Sequence, residues 1–169
     1  MTEQARFARI LRGESKGFQK VIEAITMPAY WHPADPKCRP AMEMAAMLAQ
    51  SALGFVTVLE AGTLGGQNEA KFEKPTDVTA ASKMLAEALE KAAAIAEKMD
   101  DAAWDLPSVM MWGDKPVWED TRGGMAWGLL FDAVHHRGQL TTYLRPMGSK
   151  VPAIYGPSGD DMGGIEMPA

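Results

Sequence analysis

Four segments of helix length, separated by stretches rich in proline and glycine, limit this chain to a small set of helical folds. In the first segment apolar residues recur at spacings of three, four and seven, which predicts an amphipathic helix over residues 3–26. The connection TMPAYWHPADPKCRP cannot continue that helix, because proline lacks the amide donor and clashes with the preceding turn. Pro40 suits the first turn of a helix, so the apolar run after it predicts a second helix over residues 40–60.

Two further helices are predicted in the second half of the chain. Residues 77–99 are rich in alanine, which has the lowest cost of helix formation, and Thr76 or Thr79 is the expected cap. The last long helix is expected over residues 122–145, because Pro146 ends it.

The remaining parts of the chain are predicted to form a connection between helices and a C-terminal tail. Residues 100–120 combine tryptophans and prolines with short apolar runs, which favours a packed loop or a small hairpin. The tail SKVPAIYGPSGDDMGGIEMPA is rich in glycine and proline and is expected to be irregular. Four such helices can bury their apolar stripes only against one another, so we predict an all-α four-helix bundle with long connections, in a single domain over residues 1–169.

The charge balance and the cysteine content narrow the function classes. The chain has 17 Lys and Arg against 22 Asp and Glu among 169 residues, so it has no basic excess to neutralise a phosphate backbone, and no nucleic-acid partner is expected. A charged N-terminal segment and the lack of a long uninterrupted apolar window argue against a signal peptide and against membrane insertion. Cys38 is the single cysteine, which excludes an internal disulfide and agrees with a cytoplasmic location.

The segment DAVHHRGQL places polar residues in a stretch that is otherwise built like a buried helix. At about 100° per residue, Asp132 and His136 lie on one line of the last helix and can converge on each other or on a shared cation. His135 points about 100° away and is expected to serve packing or an interface. We expect the pair to project into the space between the helices, where it is either a structural carboxylate–imidazole hydrogen bond or half of a metal site.

Other kinds of reaction centre find no support in the sequence. The run GESKG at residues 13–17 has the letters G-x-S-x-G, but it lies inside the first predicted helix and not at a strand-to-helix turn, so a nucleophilic triad is not expected. The sequence has no P-loop and no G-x-G-x-x-G motif, so phosphoryl transfer and dinucleotide chemistry are not expected either. Ser158 is predicted to serve a turn or a cap. No catalytic residue is assigned from the sequence.

The segment FDAVHHRGQLTTYLRPMGSKVPAIYGPSGD resembles the DinB/YfiT-like family, whose last helix ends in an H-H-R-G-Q-L, Y-L-R and G pattern followed by P-x-x-Y-G. The match is close from His135 to Gly156. The resemblance implies a four-helix bundle, commonly a homodimer, with a divalent metal often held by three histidines. Some members use that metal to activate a low-molecular-weight thiol for transfer or isomerisation.

This chain departs from that ligand set at two positions. His136 matches the second histidine of the H-x-x-x-H pattern, whereas Asp132 stands at the first, and the histidine of the second helix falls near Met47. The resemblance therefore implies a half-site of Asp132 and His136 for zinc, nickel or manganese. Water, a substrate, or Glu43 or Gln50 of the second helix would complete it.

Two functions are consistent with these residues. The first is a divalent-metal-binding protein with a degenerate site that assists hydrolysis or thiol transfer on a small molecule. The second is a non-catalytic dimeric bundle that binds a small apolar ligand, with Asp132 paired to His136 for structure. Arg137 and Gln139 are expected to tie the last helix to the tail or to a partner chain.

Overall fold

The computed structural model describes residues 1–32, 37–66 and 72–164 of the chain. Within these ranges lie four long helices, a one-turn helix and three short strands. In chain order they are α1 (Glu3–Glu23), α2 (Ala41–Ala61), β1 (Thr63–Gly65), α3 (Val78–Ala96), α4 (Asp101–Trp104), β2 (Pro107–Trp112), β3 (Lys115–Thr121) and α5 (Arg122–Leu144). The chain is therefore mostly helical, and the four predicted helices are α1, α2, α3 and α5.

The start of α3 differs from the prediction in its capping residue. Asp77, not Thr76 or Thr79, is the N-cap, and its carboxylate accepts a hydrogen bond from the amide of Ala80 at 2.8 Å. This hydrogen bond lowers the pKa of Asp77, with a smaller contribution from the hydroxyl of Thr76. A carboxylate is favoured here over a hydroxyl because the helix N-terminus carries partial positive charge.

Aromatic rings from four helices form one end of the core. The ring of Phe7 on α1 lies edge-on to Trp104 of α4 at 5.4 Å and to Trp127 of α5 at 5.0 Å, and it lies 6.2 Å from Phe55 of α2. Phe7 and Phe55 are fully buried. Because burying one such side chain contributes about 1.5–3 kcal/mol, this cluster strongly favours packing of the first helix against the last.

The prediction of an all-α fold is wrong in one respect, because the described residues contain a three-stranded sheet in the order β1-β2-β3. β2 and β3 form an antiparallel hairpin, one of the two alternatives predicted for residues 100–120, with Met110 opposite Trp118. β1 pairs in parallel with the other edge of β2, with Thr63 opposite Val109. β1 has only three residues and pairs with a segment far away in the sequence, so no local sequence pattern predicts it.

Two glycines of α5 allow other elements to approach this helix closely. A Cβ on Gly128 would lie 2.3 Å from the Trp118 ring of β3, and a Cβ on Gly123 would lie 2.0 Å from the Trp104 ring. Neither position accommodates a larger residue without displacing an indole ring. The sheet and α4 are thereby held against the N-terminal half of α5.

Helix α2 is long and apolar enough to cross a membrane if length and composition alone are considered. It has 21 residues, and 61% of its most apolar window is buried inside the described part of the chain. Burial to this extent is typical of a core helix, which passes the same test of length and composition.

Candidate functional site

Asp132 and His136 lie one turn apart on α5 and face each other. Asp132 Oδ1 is 3.5 Å from His136 Nε2, so the predicted convergence of the two side chains is present. The predicted projection of both groups into the space between the helices is wrong for Asp132, whose side chain is 58% exposed, whereas that of His136 is 25% exposed. A carboxylate with no buried cationic partner remains at the surface because its desolvation is costly.

Gln139 joins the two neighbouring histidines of α5. His136 Nδ1 donates to Gln139 Oε1 at 2.8 Å, and Gln139 Nε2 donates to His135 Nε2, also at 2.8 Å. The imidazole rings of His135 and His136 lie 5.3 Å apart, centre to centre. Gln139 was expected to reach the tail or a partner chain; in the described residues its amide instead bridges two side chains of its own helix.

Arg137 lies on the buried side of α5 and is only 2% exposed. Its Nη1 donates to Glu14 of α1 at 2.6 Å, and its Nη2 donates to the hydroxyl of Tyr155 at 2.6 Å. The guanidinium carbon also lies 4.6 Å from the centre of the Phe18 ring, over its face. The prediction that Arg137 ties the last helix to the tail is therefore confirmed, with α1 as an additional partner.

The hydroxyl of Tyr155 completes this cluster, which we call the arginine cluster (Glu14, Phe18, Arg137 and Tyr155). The hydroxyl donates to the carboxylate of Glu14 at 2.9 Å while it accepts from Arg137. Burial of this group, together with the hydrogen bond to Glu14, raises the pKa of Tyr155. All strong hydrogen-bonding groups of the cluster are engaged with each other, which favours a structural role over a reactive one.

The tail beyond α5 is irregular up to residue 164, as predicted, and side chains of its own residues help to fix it; residues 165–169 of the predicted tail lie outside the described residues. The carboxylate of Asp160 accepts from the amide of Val151 at 2.9 Å and from Arg145 Nε at 2.8 Å. Ser158 Oγ accepts from the amides of Asp160 and Asp161 at 3.1 and 3.0 Å, which confirms its predicted role in a turn.

Tyr143, two turns after His136, has neighbours that come from the segment before α2. Its ring lies 6.2 Å from that of His32, edge-on. Burial, followed by the nearby thiol of Cys38, raises the pKa of Tyr143. The sequence did not predict that Cys38 lies beside this hydroxyl, because residues so far apart in the chain meet only through tertiary packing.

The arrangement of α5 and its tail can be compared with known proteins. A family model described as the DinB family matches residues 1–167. The chain belongs to the DinB family. No curated protein matches the chain.

Solved structures of DinB-like proteins share the fold of this DinB-family chain. A DinB-like protein of Bacillus subtilis, YjoA, is 20% identical, with a TM-score of 0.65, and the match covers 86% of this chain and 94% of that one. A DinB-like protein of Bacillus cereus is 17% identical, with a TM-score of 0.66, and the match covers 88% and 95%. At these identities the likeness concerns the fold.

Only some of the positions that the DinB resemblance implies for metal binding carry a side chain that can bind a metal in this chain. Glu43 and Gln50, the suggested donors from α2, are both exposed. Met47 is half-buried, and its sulfur accepts a hydrogen bond from Arg39 Nη1 at 2.9 Å. Across the residues that the structure describes, no group of three or more His, Cys, Asp or Glu side chains is placed to hold a metal ion. The pair Asp132 and His136 provides two such donors that face each other.

In this DinB-family chain, sequence reasoning missed Glu14 and gave Gln139 a role different from the one that the structure shows. Glu14 gave no local signal, because its partner Arg137 is 123 positions away. Gln139 did give one, since it lies three residues after His136 and four after His135, and side chains at these spacings meet on a helix.

Proposed function

We propose that this chain binds a divalent cation between Asp132 Oδ1 and His136 Nε2, and that the cation assists hydrolysis or thiol transfer on a small molecule. The separation of the two atoms, 3.5 Å, is the observation that carries the proposal. Two ligands each about 2.1 Å from one tetrahedral ion lie about 3.4 Å apart. The separation is long for a direct charge-assisted hydrogen bond, which is normally about 2.7–2.9 Å.

The hydrogen bond at the other ring nitrogen of His136 supports the same conclusion. Because Nδ1 donates to Gln139 Oε1, the neutral imidazole has its lone pair on Nε2. This lone pair faces a carboxylate oxygen, so two acceptors oppose each other across 3.5 Å. A cation placed between them relieves the repulsion and is bound by both.

The proposed site is open rather than enclosed. With only two protein donors, water or a substrate must supply the remaining ligands, so binding is expected to be weaker than at a three-histidine centre. When bound, a divalent cation lowers the pKa of a coordinated water or thiol and polarises a substrate oxygen. The chain's own contribution is to hold His136 through Gln139 and to leave Asp132 accessible from solvent.

The resemblance of residues 131–160 to the DinB/YfiT-like family supports further proposals. We propose that α1, α2, α3 and α5 form a DinB-type four-helix bundle that works as a homodimer. We also propose a cytoplasmic location, since the single cysteine, Cys38, cannot form an internal disulfide that would require an oxidising compartment.

The proposed cation site is tested by elemental analysis and by thermal unfolding. Zinc, nickel or manganese should raise the melting temperature of the chain, because a ligand that binds only the folded state stabilises it. The variants Asp132→Ala and His136→Ala should lose that shift and any bound metal while staying folded. Asp105→Ala, which removes an exposed aspartate of the segment after α4, is the matched control and should behave like the unaltered chain. Unchanged metal content in both site variants would reject the proposal.

A second candidate is a non-catalytic bundle that binds a small apolar molecule. An apolar hollow of about 530 Å³ in the connection after α1 favours it. The hollow is lined by Met27, Pro28, Ala29, Tyr30 and Trp31. If this candidate is correct, zinc, nickel and manganese should leave the melting temperature unchanged. An apolar dye should bind in the hollow and quench the fluorescence of Trp31. Replacing Trp31 by Ala should weaken dye binding.

A further inference from the structure

We propose that Gln139 is a positioning residue of the Asp132–His136 site and that His135 sets the direction of its amide; this inference rests on the proposed function. Two hydrogen bonds, from Gln139 to His135 and from His136 to Gln139, determine which ring nitrogen of His136 carries no proton. The outcome is that Nε2 of His136 is presented to Asp132 without a proton.

The geometry of α5 places Gln139 where it can contact both histidines. Its amide lies one turn after His135 and His136, and both hydrogen bonds are 2.8 Å long. Side chains three and four residues apart meet on one side of a helix, so a single side chain reaches both rings.

Each end of the Gln139 amide has a fixed hydrogen-bonding character. The oxygen only accepts, so the nitrogen it contacts, His136 Nδ1, must carry the proton. The NH₂ group only donates, so the nitrogen it contacts, His135 Nε2, must be unprotonated. Turning the amide over would therefore require both histidines to exchange tautomers at once.

His135 thereby acquires a role although it does not face Asp132. Its unprotonated Nε2 holds the NH₂ end of Gln139 and keeps the oxygen on His136. Metal-binding histidines are commonly oriented by an acceptor at the second ring nitrogen, and loss of that acceptor typically lowers metal affinity about 10–100-fold. Gln139 supplies this acceptor here.

Nuclear magnetic resonance of the metal-free chain tests the positions of the protons directly. In two-bond ¹⁵N–¹H correlation spectra recorded in alkaline buffer, where imidazoles are neutral, His135 and His136 should both be protonated at Nδ1. The variant Gln139→Leu should move the proton of His136 to Nε2, towards Asp132. The variant Gln139→Glu has two accepting oxygens, so His136 should keep its proton at Nδ1 while the proton of His135 moves to Nε2.

Zinc affinity, measured by calorimetry on the same variants, separates positioning from general stability. Gln139→Leu should weaken zinc binding about 10–100-fold, whereas Gln139→Glu should retain it. Gln19→Leu, which removes a glutamine of α1, should change neither the spectrum nor the affinity. A melting temperature unchanged in all three variants would show that folding is not the cause.

The two proposals fail in different ways. If His136 of the unaltered chain is protonated at Nε2, or if Gln139→Leu leaves its tautomer and the zinc affinity unchanged, the positioning role of Gln139 is overturned even when zinc binds. If the tautomers respond as expected but the unaltered chain binds none of zinc, nickel and manganese, the positioning role stands and the cation site is rejected.

Discussion

The guanidinium of Arg137 on α5 and the carboxylate of Glu14 on α1 form an ion pair of 2.6 Å between two residues 123 positions apart in the chain. The side chains of Arg137 and Glu14 are only 2% and 15% exposed. A charge buried to this extent is tolerated because its partner and a second hydrogen bond, to Tyr155, replace the water that it loses.

Replacing Glu14 by Gln should destabilise the chain by about 3–5 kcal/mol, because the buried guanidinium then lacks its counter-charge. Urea-induced unfolding followed by tryptophan fluorescence measures the change. The control is Glu90→Gln, which breaks a contact of the same residue types between Arg12 and Glu90 at the surface. Exposed pairs contribute little, so the control should barely change the unfolding midpoint. Equal effects of the two substitutions would contradict the structural role of Glu14.

Gly17→Ala should destabilise the chain, although alanine normally favours a helix. The added Cβ would lie 2.8 Å from Arg137 Nη1 and 3.0 Å from the side chain of Ile154. Arg137 cannot yield easily because Glu14 and Tyr155 fix it. Gly13→Ala in the same helix meets nothing within 4 Å and should stabilise it by about 0.5–1 kcal/mol. Thermal unfolding of both variants should therefore give shifts of opposite sign.

Gly128→Ala should loosen the sheet from α5, because the new Cβ would come within 2.3 Å of the Trp118 ring. The expected result is a lower melting temperature together with altered near-ultraviolet circular dichroism, which reports the surroundings of tryptophan. Gly138→Ala on the same helix meets nothing within 4 Å and serves as the control. A Gly128→Ala variant as stable as Gly138→Ala would show that the indole ring moves aside without cost.

The attachment of the tail should weaken in acid. The backbone hydrogen bond from Val151, followed by the side chain of Arg145, lowers the pKa of Asp160 below its ordinary 3.8. A lowered pKa in the folded state means that the stabilisation is complete above about pH 4 and is lost as the pH falls through the lowered value. The amide resonance of Val151 should follow this titration.

The variant Asp160→Asn tests the assignment of that acid transition. It removes the titrating group, so the amide of Val151 should no longer change below pH 4. Asp105→Asn, which replaces an exposed aspartate outside the tail, should leave the transition as it was. Persistence of the transition in Asp160→Asn would assign it to another group.

The local parts of the structure followed from the sequence, and the non-local parts did not. Helical spacing and proline positions predicted α1, α2, α3 and α5 to within three residues at each end. The contact of Asp132 with His136 was predicted for the same reason, since it depends only on the helix that carries both. The exposure of Asp132 was not predicted, because it depends on how α5 is rotated against its neighbours.

In the small sheet, too, the local pairing was predictable from the sequence and the long-range pairing was not. The hairpin of β2 and β3 was among the predicted alternatives because tryptophans, prolines and short apolar runs lie close together in the sequence. β1 was missed, since Thr63 and Val109 pair across a long separation and three residues carry no periodicity. Asp77 replaced the predicted threonine caps because a carboxylate competes better for the first-turn amides.

The arginine cluster also has a consequence for the order of folding during synthesis. Glu14 leaves the ribosome more than a hundred residues before Arg137 and Tyr155. Until then the carboxylate of Glu14 stays hydrated, and the ion pair of α1 that can already form is the one between Arg12 and Glu90 of α3. Because such distant contacts form late, the arginine cluster is expected to form only after the tyrosine of the tail has been translated.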